Sequence, residues 1–536
     1  MQNCNDFLNE TNESYTDEFN LIPQPLSVKA SDTYFVFQTE LTAFCPTTLQ
    51  DEIDVFNSQL EASTPFKCRR TDDKTEASII IELRARNEKN ENTSDDESYE
   101  MNITESGITI QAASAHGAFN ALQTLRQILM CCTTENEGNP LAHYSMQCAK
   151  IEDRPRFEWR GFMLDCARTF FPVSFIKKLL DAAALHKLNK FHWHLTDDQG
   201  WRIPVKEYPK LIEIGSVAPD PRHQLRDYTP KKDAFYTHEQ MTEVINYAAA
   251  RHIMVIPEIE MPGHASAILA SYPELGCTGG PYAVEGRWGI FDDVLCAGND
   301  DVFKLLEAAI KTVSEIFPGP FIHIGGDECP HVRWEKCPKC QERIKTEKLN
   351  GVNQLQSWIT SKVTAIVSKY GKTPIGWDEV LDGTENIALP KDLIVMSWRG
   401  AKGGIEASKR HHRVIMAPTD GGCYLDYPHL SDPAEPGLQS VTTVRKSYDY
   451  SPLPDSLSEE EKSNILGGQG NLWSELLSSQ KLAEYMLFPR LCALSEALWL
   501  DKKDKDFDSF SERLKIHKER LDMLNLLYYR GPLEEK

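Results

Sequence analysis

Asp327-Glu328 is a pair of adjacent carboxylates that follows His323-Ile-Gly-Gly326. The two glycines permit a tight turn and a close approach of backbone to a bound molecule. One carboxylate disfavours a second negative charge beside it, and burial adds to that effect. One member of the pair can therefore keep its proton near neutral pH, as a general acid must. An Asp-Glu pair alone is more often a solvated acidic turn. The apolar stretch 320–324 ahead of it, which reads as a buried strand, argues against that here.

Comparable residues stand after other short apolar stretches. Asp165 and Arg168 follow the first, and His192-Trp-His-Leu-Thr-Asp-Asp-Gln-Gly-Trp201 belongs to the second. Glu258 and Pro262-Gly-His264 follow the third, Trp377-Asp-Glu379 the fifth and Trp398-Arg399 the sixth. Tyr424 and Asp426 follow the seventh, and Trp473-Ser-Glu475 the eighth. A sugar's axial hydrogens form an apolar face that packs on an indole, which suits Trp377, Trp398 and Trp473. Its hydroxyls need charged partners, which Arg168, Asp426 and Glu475 can supply. One such tryptophan reads as ordinary core; three near strand ends read as a pocket.

These residues need a frame that brings eight strand ends to one face. The runs 161–165, 190–195, 252–258, 320–324, 373–376, 393–397, 413–417 and 465–469 read as strands. Helical stretches at 174–187, 238–251, 301–317, 351–370 and 480–499 lie between and after them. Several runs are apolar without alternation, as in strands buried on both faces. Eight strand–helix units over about 350 residues predict an α/β fold, a (β/α)8 barrel whose functional side chains gather at the C-terminal ends of the strands. The long connections 196–237 and 261–300 can wall a pocket, and the charged tail from 502 reads as helix with a frayed end at 531–536.

Ahead of Asp153-Arg-Pro-Arg156 the texture differs. A strand at 77–85, a hairpin from 98–104 and 107–112, and a helix at 113–130 make a small α+β domain, with 87–97 as an exposed loop. The chain thus divides into a poorly ordered segment at 1–20, a non-catalytic α+β domain at 21–152, and a catalytic barrel with a helical tail at 153–536.

The 536 residues exceed one ordinary core, and 41% hydrophobic with 26% charged residues is a globular composition. With 58 basic against 80 acidic residues and a net charge of −22, nucleic acid and anionic membranes are disfavoured partners. No apolar run is long enough to span a bilayer, and the polar first residues carry no visible secretory signal. Cys4 reads as a stray cysteine rather than a lipid anchor. The fourteen cysteines are too thinly spread for a small disulfide scaffold. Sequons at Asn9, Asn12, Asn92 and Asn102 are weak signs of glycosylation.

At these motifs the chain resembles glycoside hydrolase family 20, the β-N-acetylhexosaminidases, in its bacterial type. The matching stretches are Gly161-Phe-Met-Leu-Asp-Cys-Ala-Arg168, Phe191-His-Trp-His-Leu-Thr-Asp-Asp198, Pro257-Glu-Ile-Glu-Met-Pro-Gly-His264 and His323-Ile-Gly-Gly-Asp-Glu328. Gly376-Trp-Asp-Glu379 and Leu472-Trp-Ser-Glu475 complete the set, and Leu21-Ile-Pro-Gln-Pro25 resembles the opening of the family's small domain. The resemblance implies an exo-acting enzyme that removes terminal β-linked GlcNAc or GalNAc with retention, using the substrate's own 2-acetamido group as nucleophile. It implies Glu328 as general acid/base, Asp327 and Tyr424 as the residues that orient the acetamido group, and Arg168, Trp377, Trp398, Asp426, Trp473 and Glu475 as sugar-binding residues. Asp197 and His264 are implied as supports of the acid/base. It further implies no cofactor or metal and an oligosaccharide or glycoconjugate partner; a monomer or homodimer is expected, exported (periplasmic, cell-surface or secreted) with a cytoplasmic location as the alternative. Relatives often carry a disulfide where Cys277 and Cys296 stand. Tyr427 replaces the arginine of ganglioside-degrading lysosomal relatives, which argues against ganglioside substrates.

Three other readings compete. His192 and His194 with His264 and Asp327 resemble the ligands of a metal-dependent barrel hydrolase. Cys329-Pro-His331 with Cys337-Pro-Lys-Cys340 has zinc-like spacing but lacks an evident fourth ligand, so unliganded or paired cysteines are favoured slightly. A non-enzymatic glycan-binding barrel is disfavoured because Asp327 and Glu328 are both present.

Overall fold

The computed structural model describes residues 19–84, 96–132, 144–217, 233–384, 387, 389–431, 435, 437 and 440–535. Cys4, three of the sequon asparagines (Asn9, Asn12 and Asn92), and residues 1–18 of the expected N-terminal segment lie outside them.

Eight parallel strands close a barrel: Trp159–Asp165, Lys190–His194, Met254–Glu258, Phe321–His323, Thr373–Trp377, Ile394–Ser397, Val414–Met416 and Ile465–Leu472. The eighth pairs with the first, from Gly467 opposite Trp159 to Leu472 opposite Leu164. The barrel's interior is packed by Trp159, Ile256, Ile375, Ile394, Met396 and Ile415. The outer faces of the strands pack against surrounding helices in a second, larger apolar layer. Both faces are therefore dry, which is why the strands read as unbroken apolar runs.

The helices follow from their ends and faces. Asp300–Ile316 begins where the Asn299 side chain accepts from the backbone N–H of Asp301, and it buries Val302, Leu305, Leu306, Ala309, Ile310 and Val313 at helical spacing. His238–Ala249 opens with a capping box between Thr237 and Gln240. The stretch expected as one helix at 480–499 is two, Gln480–Leu487 and Arg490–Trp499. Pro489 separates them, because its ring supplies no N–H and clashes with a continuing helix.

The N-terminal domain is a seven-stranded mixed sheet with the helices Gln50–Ser63 and Ala115–Cys131. The expected hairpin is present, with Tyr99 opposite Ala112 and Thr104 opposite Gly107. The Asn102 sequon lies inside it, its amide donating to Glu100 at 3.0 Å. Helix Ala115–Cys131 is buried all round because it lies between the sheet and the barrel: Leu122 and Leu125 belong to the sheet's core and Phe119 to the barrel's. Glu97, expected at the end of an exposed loop, is instead buried and pairs with Arg160 of the first barrel strand.

Helix Phe507–Met523 fastens the two parts together. Arg513 donates to the Leu21 carbonyl at 2.6 Å, and Arg520 to those of Gln127 at 3.0 Å and Phe19 at 2.8 Å. The end expected to fray is pinned: Arg445 N–H donates to the Leu533 carbonyl, and Ser431 N–H to Glu535, both at 2.9 Å. Among the described residues no helix is long and apolar enough to cross a membrane.

Candidate active site

The strand ends build the site one turn at a time. At the end of the first strand, Asp165 Oδ1 accepts from the backbone N–H groups of Ala167 (2.9 Å) and Arg168 (3.0 Å), while Oδ2 accepts from Ser474 N–H at 3.0 Å. One buried carboxylate thus shapes the turn that presents Arg168 and ties it to the loop carrying Trp473 and Glu475. Arg168 Nη2 lies 2.8 Å from Asp197 and Nη1 lies 3.7 Å from Glu475. Burial alone would lower the guanidinium's pKa, but Asp197, Glu475 and Asp165 outweigh it and hold it well above its usual value.

Asp197 sits just beneath the pocket. Its Oδ2 faces His194 Nε2 at 2.9 Å and its Oδ1 faces His264 Nδ1 at 3.2 Å. Burial would raise this carboxyl, yet Arg168 and His264 drive it well below the usual carboxylate range. His264 is in turn pushed well above the histidine range, because Asp197 and Asp198 outweigh the effect of burial. Its Nε2 lies 3.5 Å from Glu328 Oε2 and 3.7 Å from Asp327 Oδ2, at ion-pair range. A buried cation is therefore held beside the two carboxylates.

The turn that carries those carboxylates is unusual. Gly325 and Gly326 have φ of 62° and 102°, and a Cβ on Gly325 would meet Glu260 Oε2 at 1.8 Å. Glu328 and His264 are non-glycine residues with φ of 44° and 46°. Backbone held in this region costs about 1–3 kcal/mol per residue and clusters at functional sites. Asp327 is nearly buried, whereas the Glu328 side chain is 32% exposed. Burial, helped by Glu258 and Glu328 and opposed by His264, raises Asp327 to about 6. Its Oδ1 has no hydrogen-bond partner.

The floor is a buried Glu258 ringed by histidines. His192 Nε2 is 3.0 Å from Oε2, His323 Nδ1 is 2.8 Å from Oε1, and His194 Nδ1 also contacts Oε2. Of the set considered for a catalytic metal, His192 faces Glu258, His194 lies between Glu258 and Asp197, and His264 faces Asp197, Asp198 and the 327–328 pair. Glu258 Oε1 also accepts from the Trp377 indole at 2.9 Å, which fixes that ring. Trp398 is fixed similarly, donating to Glu379 at 2.8 Å. Trp473 packs 5.8 Å from Trp377, with the Arg168 guanidinium 5.0 Å from its ring and Tyr424 6.4 Å away. Trp377 is only 1% exposed, so it serves as both core and wall.

Arg168, His264, Asp327, Glu328, Trp377, Trp398, Tyr424, Asp426, Trp473 and Glu475 all line one cavity of about 350 Å³. Gln199, Trp288, Gly289, Ile290 and Tyr427 complete its lining. Trp288 and Ile290, 58% and 55% exposed, form an apolar lip that the sequence reading missed. The only signal for them was an aromatic residue in the long loop after the third strand. Glu260 was missed too. It is buried with neither carboxylate oxygen bonded, and burial with the charges of Asp327 and Glu258 pushes it well above the carboxylate range.

Family models match both parts of the chain: the glycosyl hydrolase family 20 catalytic domain over residues 157–502, and domain 2 of the same family over residues 18–154. A β-hexosaminidase of Porphyromonas gingivalis is 42% identical over 442 residues, 82% of this chain but only 55% of that protein. One from Akkermansia muciniphila is 34% identical over 430 residues, 80% of this chain and 84% of its own length. Among solved structures, a family 20 exo-β-N-acetylglucosaminidase from Vibrio harveyi in complex with N-acetylglucosamine superposes with a TM-score of 0.85 at 29% identity. That match covers 97% of this chain and 80% of the other.

Proposed function

The chain belongs to glycosyl hydrolase family 20, and from that premise we propose that it is an exo-acting β-N-acetylhexosaminidase. Its substrates are oligosaccharides or glycoconjugates with a terminal, non-reducing, β-linked N-acetylglucosamine or N-acetylgalactosamine. The observation that carries the reading is the Asp327-Glu328 turn opening into an indole-walled cavity of about 350 Å³. Ligand pockets span roughly 300–1,000 Å³, and this one suits a single sugar ring rather than a polymer threaded through it.

The chemistry proposed is the one the family resemblance implies, and the partnering of the side chains fits it. The acetamido oxygen attacks the anomeric carbon while Glu328 gives its proton to the glycosidic oxygen, so that bond breaks and the aglycone leaves as an alcohol. The cyclic oxazolinium ion is then opened by water, whose proton returns to Glu328, and the product keeps the β configuration. Asp327, with a free oxygen and a nearby imidazolium, accepts from the acetamido N–H as that group gains positive charge. Trp377 and Trp473 flank the acetamido group and Tyr424 aims its oxygen. Holding the nucleophile within the substrate gives effective concentrations of about 10⁵–10⁸ M, provided the geometry is fixed. Arg168, Asp426 and Glu475 take the outer hydroxyls. Export to the periplasm, cell surface or medium belongs to the same proposal.

Proton NMR of an aryl β-N-acetylglucosaminide during hydrolysis tests this reading. The β anomer should appear first, and fluorination of the acetyl group should slow turnover progressively by weakening the amide nucleophile. First appearance of the α anomer, or a rate insensitive to fluorination, contradicts it.

A further inference from the structure

Four cysteines that the proposed chemistry does not use converge between two loops of the barrel. Cys277 is half-buried, and Cys296, Cys337 and Cys340 are buried. The Sγ atoms of Cys296 and Cys337 lie 3.7 Å apart, those of Cys296 and Cys340 3.7 Å, and those of Cys277 and Cys340 3.8 Å. All four sulfurs fall within 4.8 Å of one another. Zinc bound by four thiolates at about 2.3 Å forms a tetrahedron whose edges are about 3.8 Å. Two disulfides would instead leave two bonded pairs at about 2.0 Å, and these thiols are all unbonded.

The backbone holds the cluster from both sides. Gly276 bridges Leu295 in antiparallel fashion, and Cys296 N–H donates to the Leu275 carbonyl at 2.8 Å, which sets Cys277 and Cys296 side by side. On the other loop, Cys337 is the N-cap of helix Pro338–Thr346 and Cys340 lies in its first turn. This Cys-x-x-Cys spacing is a chelating one, and a helix N-terminus favours thiolate. The loops touch too closely for a side chain at Gly298, where a Cβ would meet Lys339 C at 2.2 Å and Cys340 N at 2.6 Å. Trp334 adds a hydrogen bond to the Leu295 carbonyl at 2.9 Å. The other members of the zinc-like stretch are occupied elsewhere: His331 faces Gln356 at 2.7 Å, and Cys329 packs beside Gly263.

We propose that Cys277, Cys296, Cys337 and Cys340 form a structural site for one zinc ion, which displaces the four thiol protons. The ion joins the loop that carries Trp288 and Ile290 to the loop that starts with Asp327-Glu328. It thereby fixes the pocket's lip against the catalytic turn without entering the reaction. This set replaces both the disulfide implied for Cys277 with Cys296 and the zinc-like grouping of Cys329 with Cys337 and Cys340.

The full chain, purified without a metal-affinity tag or added metal, should hold one zinc per molecule by plasma mass spectrometry. A mercurial thiol reagent should release that zinc stoichiometrically. Cobalt exchanged into the site should show the thiolate charge-transfer and intense ligand-field bands of tetrahedral Co(II)–sulfur coordination. Cys296→Ser and Cys340→Ser should each lose most of the zinc, whereas Cys329→Ser should retain it. If the serine variants fail to fold, the wild-type zinc content and the cobalt spectrum decide alone. Metal-free protein whose denatured mass shows disulfides among these four cysteines overturns the site, and iron in place of zinc overturns the metal assignment.

Discussion

Buried charge at the domain junction and buried charge at the pocket are built differently. At the junction between the domains the acids face cations or donors, although Glu52, against His252, keeps one unbonded oxygen. Asp153 faces Lys187 at 2.6 Å and also accepts from Tyr99 and the Trp499 indole, both at 2.8 Å. Glu97 pairs with Arg160 and accepts from Asn120 at 2.9 Å; despite burial, Arg160 and His116 hold it below the carboxylate range. In the pocket the acids outnumber the cations. Asp327 and Asp426 each keep an unbonded oxygen, Glu260, buried behind the turn at Gly325, keeps two, and burial pushes all three upward. Leaving a buried polar atom unpaired costs about 1–3 kcal/mol, more for a charged group, and that cost persists where a ligand supplies the missing partner. Asp153 and Glu97 at the junction are fully paired within the protein, whereas Asp327 and Asp426 at the cavity keep an oxygen open to a ligand.

Substitutions in the two regions should therefore fail differently. Glu328→Gln removes the proton donor and should lower kcat on an aryl glycoside by about 10²–10⁴-fold while leaving the thermal midpoint nearly unchanged. Residual activity near wild type breaks the assignment. Lys187→Met leaves Asp153 buried without its cation and should cost about 3–5 kcal/mol of stability in a denaturant titration. The molecules that remain folded should keep kcat/KM. A stable variant, or an inactive folded one, would erase the distinction between the regions.

Acidity gives a finer test. Asp327 must be ionised to accept the acetamido N–H, and its carboxyl sits at about 6, so kcat/KM should fall as pH drops through about 6. Asp327→Asn should be far slower and lose that acid limb; an unchanged limb would assign it to another group. The smallest effect is expected at Glu260, whose carboxyl burial and its acidic neighbours push upward. Glu260→Gln keeps the shape of a side chain that bonds no partner and does not line the cavity, so it should change kcat/KM only a few-fold.

Much of the site was legible because barrel strands are dry on both faces and deliver their chemistry at one end. Asp165, Glu258, Trp377 and Trp473 could be read as a set for that reason. Edge strands gave no such signal. Lys67–Thr71 buries little besides Cys68, and Ser27–Phe37 is exposed over most of its length, so neither shows a clear apolar period. The break at Pro489 needed only the proline's chemistry, but the apolar spacing on either side masked it. Trp288 and Ile290 gave no periodic signal from an irregular loop. The two halves of the cysteine cluster were each noticed, but not their union, because Cys296 stands about forty residues from Cys337 and Cys340 and the two loops meet only in the folded chain. Glu97 was misread because its partner Arg160 belongs to another domain.

The central proposal is that Asp327 and Glu328 act on a sugar whose own amide is the nucleophile. A crystal soaked with the thiazoline analogue of the cyclised intermediate tests that directly. The ring nitrogen should lie within hydrogen-bond distance of Asp327, the bicycle between Trp377 and Trp473, and Glu328 above the anomeric carbon. A pocket that excludes the analogue, or binds it with Asp327 turned away from the ring nitrogen, would contradict it.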